Sequence, residues 1–193
     1  MSVSLSKGGN VSLTKQAPGL ERVLVGLGWD PQVSSGPTFD LDASAFLVGA
    51  SGRVLSDKHF VFFGNEDTPD GSVHHTGDNL DGEGDDGDDE AIEVTLAKVP
   101  QAVQRIVFSV SIYDAEVKQQ SFGVVRNAYI RCVSMDDGQE IARYDLAEDA
   151  STETAMIFGE LYRYAEEWKF RAVGQGYASN LRGICLDFGV NVA

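Results

Sequence analysis

The sequence predicts an all-β protein, a two-sheet antiparallel β-sandwich with few short helices. Three observations carry that reading. Apolar and polar residues alternate with a period of two in about nine or ten separate stretches, turn-forming residues recur roughly every 8–12 positions between them, and few stretches suggest a helix. A chain of 193 residues suits one domain and is long enough to bury roughly 70% of its unfolded surface around a single core.

Taken in order, Val3 and Leu5, then Val11 and Leu13, alternate with polar residues on either side of Lys7-Gly8-Gly9-Asn10, the pattern of a β-hairpin with a glycine-rich turn. Residues 21–27 (ERVLVGL) form a mostly apolar strand that ends at Gly28-Trp29-Asp30-Pro31, a turn in which Trp29 plugs one end of the core. Across residues 39–48 the period of two places Phe39, Leu41, Ala43 and Ala45 on one face and Asp40, Asp42 and Ser44 on the other. Residues 59–63 (HFVFF) read as a strongly apolar strand running into a turn-rich loop that carries Asn65 and Asp70. Residues 92–96 and 105–113 are strands joined through Val99-Pro100-Gln101, and residues 128–133 and 140–146 flank Asp136-Asp137-Gly138-Gln139, a plain hairpin signal. Two aromatic-rich strands, 155–164 and 167–173, follow, the second closed by Gly174-Gln175-Gly176-Tyr177. Short helical turns are expected around 114–120 and 179–185.

One stretch stands apart from this alternation. Residues 77–90 read GDNLDGEGDDGDDE, so eight of fourteen positions are carboxylates, with no Lys or Arg among them. Acidic glycine-rich runs are often solvated linkers. Here glycines alternate with acids and the run leads straight into the strand at 92–96, which places it inside a folded unit. Gly82, Gly84 and Gly87 let the backbone curl and aim several oxygens inward. Calcium requires that chemistry, six to eight oxygens at about 2.3–2.6 Å. Counting from Asn79, the spacing approaches the EF-hand register. Asp86 occupies the usually apolar eighth position, though, and turn and strand replace the two flanking helices. Asp40 and Asp42, two same-face carboxylates in an apolar strand, form a second candidate ligand group, and Asn65 and Asp70 add further oxygens. His74-His75 lacks a third soft ligand, and adjacent side chains point apart in an extended chain.

A net charge of −15 from 15 basic and 30 acidic residues argues against nucleic-acid binding and favours cations or basic partners. Cys132 and Cys185 read as buried free thiols, which suits a reducing compartment. The N-terminal residues lack a basic segment followed by an apolar one, and no apolar run approaches 18 residues, so a cytoplasmic location is expected.

Several motifs then share a resemblance. Ser4-Leu5-Ser6-Lys7-Gly8-Gly9-Asn10, Gly28-Trp29-Asp30, residues 39–45 (FDLDASA), residues 69–79 (PDGSVHHTGDN), Ala142-Arg143-Tyr144-Asp145-Leu146, residues 158–163 (FGELYR) and Val173-Gly174-Gln175-Gly176-Tyr177 resemble, in order and over nearly the whole length, the TerD family of tellurium-resistance and bacterial stress proteins. The resemblance implies one calcium-binding β-sandwich domain over residues 1–193, tied to resistance to tellurite and other stresses, with no established enzymatic activity. The family's acidic motif resembles G-D-N-x-x-G-E-G-x-G-D-D-E; here Asp85 and Asp86 both stand between Gly84 and Gly87, a one-residue insertion.

The expected function is therefore a non-enzymatic calcium-binding stress protein, acting as a metal-ordered interaction module. One or two calcium ions would be held by a subset of Asp40, Asp42, Asn65, Asp70, Asp78, Asn79, Glu83, Asp88, Asp89 and Glu90. Expected partners, besides calcium, are proteins of a stress-response or membrane-associated complex, with no nucleic acid and no direct membrane insertion. A hydrolase using paired carboxylates lacks a visible motif with catalytic spacing. A calcium-dependent membrane module lacks basic and apolar residues at the loop end, and tellurite handling by thiols lacks an exposed, electropositive cysteine.

Overall fold

The computed structural model describes residues 2–30, 36, 38–77, 87–146 and 152–192. Among them are strands β1 (Val3–Leu5), β2 (Asn10–Ser12), β3 (Arg22–Gly28), β4 (Leu41–Gly49), β5 (Phe60–Val61), β6 (Val73–His75), β7 (Glu90–Thr95), β8 (Val103–Ile112), β9 (Tyr129–Ser134), β10 (Glu140–Asp145), β11 (Ala155–Tyr164) and β12 (Glu167–Tyr177). Three short helices accompany them: α1 (Leu13–Gln16), α2 (Ala115–Lys118) and α3 (Asn180–Asp187). The strands form two six-stranded sheets, ordered β1-β10-β9-β3-β7-β6 and β2-β12-β11-β8-β4-β5. They pack face to face, with β7 against β4 and β6 against β5. The expected sandwich is present.

Alternation explains which side chains enter the core. In β7, Glu90, Ile92 and Val94 are buried while Ala91, Glu93 and Thr95 are half-exposed. β4 departs from that rule because all nine of its residues are buried. Its Leu41, Ala43, Ala45 and Leu47 face the opposing sheet, while Phe46 and Val48 join a second cluster with Ile184, Cys185 and Phe188 under α3. The Phe46 and Phe60 rings stack at 4.6 Å and Phe188 closes on Phe46 at 5.1 Å. A strand covered on both faces needs apolar residues at both parities, which is how AFLV follows the Asp-rich start.

Several local expectations are corrected. Residues 3–13 do not form a hairpin. β1 joins the first sheet parallel to β10, Val3 opposite Ala142, whereas β2 joins the second sheet antiparallel to β12, Val11 opposite Phe170. The glycine-rich turn is a crossing between sheets. It is tied to β12 by Gly8 N–H to the Ala172 carbonyl at 2.8 Å and by Ala172 N–H back to Gly9 at 2.9 Å. Leu13 begins α1, with the Ser12 hydroxyl accepting the Lys15 N–H at 3.2 Å. Of residues 59–63 only Phe60 and Val61 are strand, because Asn65 folds the chain back: its side-chain amide donates to the Phe60 carbonyl at 2.7 Å. β12 runs on through Gly174 and Gly176 to Tyr177. The turns at 99–101 and 136–139, the helical segments near 114–120 and 179–185, and the burial of Trp29 are as expected.

Candidate functional site

β6 and β7 are antiparallel neighbours, Val73 opposite Val94 and His75 opposite Ile92, so the acidic stretch is the connection of this strand pair. Asp78, Asn79 and Glu83 lie outside the described residues; the two ends of the connection are described. On the incoming side the Thr76 N–H and hydroxyl both donate to the Ala91 carbonyl, at 3.1 and 3.0 Å. On the outgoing side Asp89 N–H donates to the Leu27 carbonyl at 2.8 Å, and the Asp89 carboxylate accepts the Trp29 N–H at 2.9 Å.

Beneath this root lies a buried polar bridge between the sheets. Glu90 points inward, and its Oε2 accepts the Ala43 N–H at 3.0 Å. That donor belongs to the start of β4, where among the described residues no strand pairs its outer edge because β5 meets β4 only at Ala45 and Phe46. The same oxygen lies 3.1 Å from His75 Nε2, both side chains being essentially inaccessible. The His75 contact is an electrostatic approach off the line of a good hydrogen bond. Gly77 N–H donates to His75 Nδ1 at 3.1 Å, leaving Nε2 to carry the proton toward Glu90. Burial alone would lower the His75 pKa, but the Glu90 carboxylate outweighs it and the net direction is upward.

The remaining predicted ligands are dispersed. Asp88 turns to the outer face of the first sheet, where its Oδ1 accepts from Arg131 Nε at 2.8 Å and from the Tyr129 hydroxyl at 3.0 Å. It lies directly over Gly26, where a side chain at that position would collide with the carboxylate. Burial first, and Asp88 second, push the Tyr129 phenol up to about 12. Asp40 accepts through its carbonyl from Tyr113 N–H at 2.8 Å and immediately precedes β4. Asp42, nearly buried, lies opposite Ser111 and lines a cleft of about 380 Å³ with Phe62, Tyr113 and Glu116. Its neighbour Ser44 meets Ser109 at 2.6 Å on the outer side of the sheet, so Asp42 and Glu90 flank β4 from opposite faces. Asp70 closes a local turn by accepting from Ser72 N–H at 2.8 Å and the Thr68 hydroxyl at 3.0 Å, with His59 Nε2 at 3.4 Å. The hydrogen bonds of Asp70 outweigh burial and hold its carboxyl below the usual range. His74 points outward to Asp67 at 2.9 Å, away from His75.

Among the described residues no three His, Cys, Asp or Glu side chains gather as a metal-binding group. The donor chemistry present is that of a hard cation. The acids beside the connection offer oxygens only, a carboxylate accepts at about four positions so one hydrogen bond does not exhaust it, and His75 is committed to Glu90. Cys132 and Cys185 are buried and far apart in the fold, and burial pushes both thiols up, Cys185 to about 11, which keeps them from being thiolates. The chain's spacing does not reveal the His75–Glu90 bridge, because β6 is three residues long and its pairing with β7 spans the acidic connection. Trp29 is a second unpredicted feature: its indole N–H is buried with no partner among the described residues.

Comparison with known proteins decides the relationship. The family model of the TerD domain matches residues 1–188. The chain belongs to the TerD family. It is 59% identical over 193 residues to tellurium resistance protein TerD of Serratia marcescens, covering all of both chains. It is 49% identical to general stress protein 16U of Bacillus subtilis (strain 168), again over the full length of each. A solved homologue of telluride resistance protein TerD from Streptomyces coelicolor A3(2) superposes with a TM-score of 0.70 at 25% identity, covering 86% of this chain and 95% of its own. The TerD-family sandwich is thus shared by sequence and by shape. Among the described residues no helix is long and apolar enough to cross a membrane.

Proposed function

We propose that this TerD-family chain is a cytoplasmic, non-enzymatic stress protein of tellurium and general stress resistance, whose acidic connection binds one or two calcium ions and thereby orders a surface for protein partners. The observation that carries the proposal is the anchored root. Asp89 on Trp29, Glu90 on Ala43 and His75, and Thr76 on Ala91 hold both ends of a carboxylate-rich connection on a packed scaffold. Convergent ligands need such a footing. Asp89, which borders the connection, forms the proposed oxygen set with Asp78, Asn79 and Glu83; Asp40 and Asp42 stand at the start of β4, Asp42 on the face turned away from Glu90. Glu90 acts chiefly as the anchor, while Asp88, Asn65 and Asp70 are held by their own turns and ion pair. When bound, calcium supplies charge neutralisation to a chain of net charge −15. The same charge favours protein over nucleic-acid partners.

The test is a calorimetric calcium titration of chelator-stripped protein in excess magnesium, with a thermal melt before and after. The expected outcome is saturable binding of one or two ions and a higher melting temperature; at 100 times its dissociation constant one ion adds about 2.7 kcal/mol. Asp89→Asn should weaken binding at least about tenfold, as loss of a charged ligand does, whereas Asp88→Asn should leave affinity unchanged while lowering the melt. Weak heats that magnesium displaces equally, with an unmoved melt, would show the connection to be a solvated loop.

A further inference from the structure

The opposite edge of the sandwich holds a cavity of about 440 Å³ between the sheets, bounded by the β1–β2 crossing, the end of β10 and the glycine-bearing end of β12. Three of the sequence motifs meet here: Ser6-Lys7, Tyr144-Asp145-Leu146 and Gly174 with Gly176. Tyr144 is 4% exposed, and its hydroxyl enters the cavity without a hydrogen-bond partner among the described residues. The hydroxyl fits only because position 174 is glycine: φ is +65°, and a Cβ there would lie 2.5 Å from the phenolic oxygen.

Side chains of opposite charge, Lys7 and Glu153, line the same cavity. The Lys7 side chain lies over Gly174, its Cδ 3.5 Å from where a Cβ would be, and the Glu153 side chain lies over Gly176. Positions 174 and 176 are two apart on one strand, a footing of about 7 Å. Among the described residues Lys7 makes no ion pair, and the Glu153 carboxylate accepts the neighbouring Thr152 N–H at 3.1 Å. Asp145, whose Oδ1 pairs with Arg143 at 2.9 Å, is a second carboxylate of the lining beside Glu153. Leu5, Leu146 and Met156 supply apolar wall.

We propose that this cavity binds a small zwitterion with an apolar body, an α-amino acid of the leucine type. Its carboxylate meets the Lys7 ammonium and the Tyr144 O–H, its ammonium meets Glu153, and its side chain packs on Leu5, Leu146 and Met156. The cavity size lies within the range of small-molecule sites, roughly 300–1,000 Å³. The site is independent of calcium binding at the other edge.

The experiment titrates the full chain calorimetrically with L-leucine, then with 4-methylpentanoate, which lacks the ammonium, and with 3-methylbutylamine, which lacks the carboxylate. Leucine should bind saturably and each analogue at least about tenfold more weakly, the size of one charge-assisted hydrogen bond. Tyr144→Phe and Lys7→Met should each weaken leucine by about tenfold. Tyr144→Phe should leave the melting temperature unchanged, since the hydroxyl it removes has no partner to lose. Absence of saturable leucine binding, analogues that bind as tightly as leucine, or a Tyr144→Phe variant with unaltered affinity would overturn the proposal.

Discussion

At the end where β6 and β7 face β4 and β5, polar groups are drawn together around one buried carboxylate. Glu90 spans the space between the sheets to reach an unpaired strand N–H, and His75 comes up against the same oxygen. At the edge formed by β1 and β2, the polar groups are held apart. A lysine, a phenol and a glutamate stand in a row around open space, with glycines where side chains would otherwise fill it. The first arrangement is what a scaffold requires of buried polar atoms, and the second is what a ligand requires of a protein. The contrast teaches that density of charge does not by itself locate chemistry. The acid-rich end commits much of its described polar capacity to anchoring, and the quieter end leaves more of its capacity open.

The sharpest way to break this contrast is Glu90→Ala. If Glu90 is the bridge, its loss strands a buried imidazole and a buried N–H, and the denaturation midpoint should fall by an equivalent of about 3–5 kcal/mol. A loss under about 1 kcal/mol would mean that the bridge behaves like a surface pair and the two edges do not differ in kind. Next in size is Gly174→Ala, which adds a Cβ at a left-handed φ and against Tyr144. It should cost about 1–3 kcal/mol in thermal unfolding and close the cavity, so that stability and cavity access fall together.

The smallest effect is a pH dependence. His75 has a raised pKa, so the folded chain holds this proton more tightly than the unfolded chain does. The stability this contributes is complete below the ordinary imidazole value of 6.5 and is lost as pH rises through the folded-state value. In chelator-treated protein, NMR titration of His75 should show a midpoint above 6.5, and Glu90→Gln should lower it, because the carboxylate that chiefly opposes burial is then gone and only the smaller effects of the Ala43 backbone and Glu66 remain.

Much of the fold was legible because a half-buried strand declares itself through its own alternation, as β7 does with Glu90, Ile92 and Val94 inward. What failed was pairing. Residues 3–13 carry every local mark of a hairpin, yet β1 and β2 enter different sheets because their partners, Ala142 and Phe170, lie more than a hundred residues away. The candidate metal site was legible as chemistry and less so as geometry. Asp42 and Glu90 both read as acids near one end, but the face each occupies depends on sheet packing, and Asp88 is claimed by Arg131 from another strand. The cavity was legible only as separate motifs, not as a site. Lys7, Tyr144, Glu153 and Gly174 come from three separated segments, and only the crossing of the chain between sheets brings them together.

That crossing also bears on how the protein is made. The partners of its first two strands are residues 142–144 and 169–171, so residues 3–5 and 10–12 cannot pair until those segments have been made. Closing such long loops is entropically costly and slow. The cavity walled by residues 5–7 therefore forms only after residues 142–176 have been made.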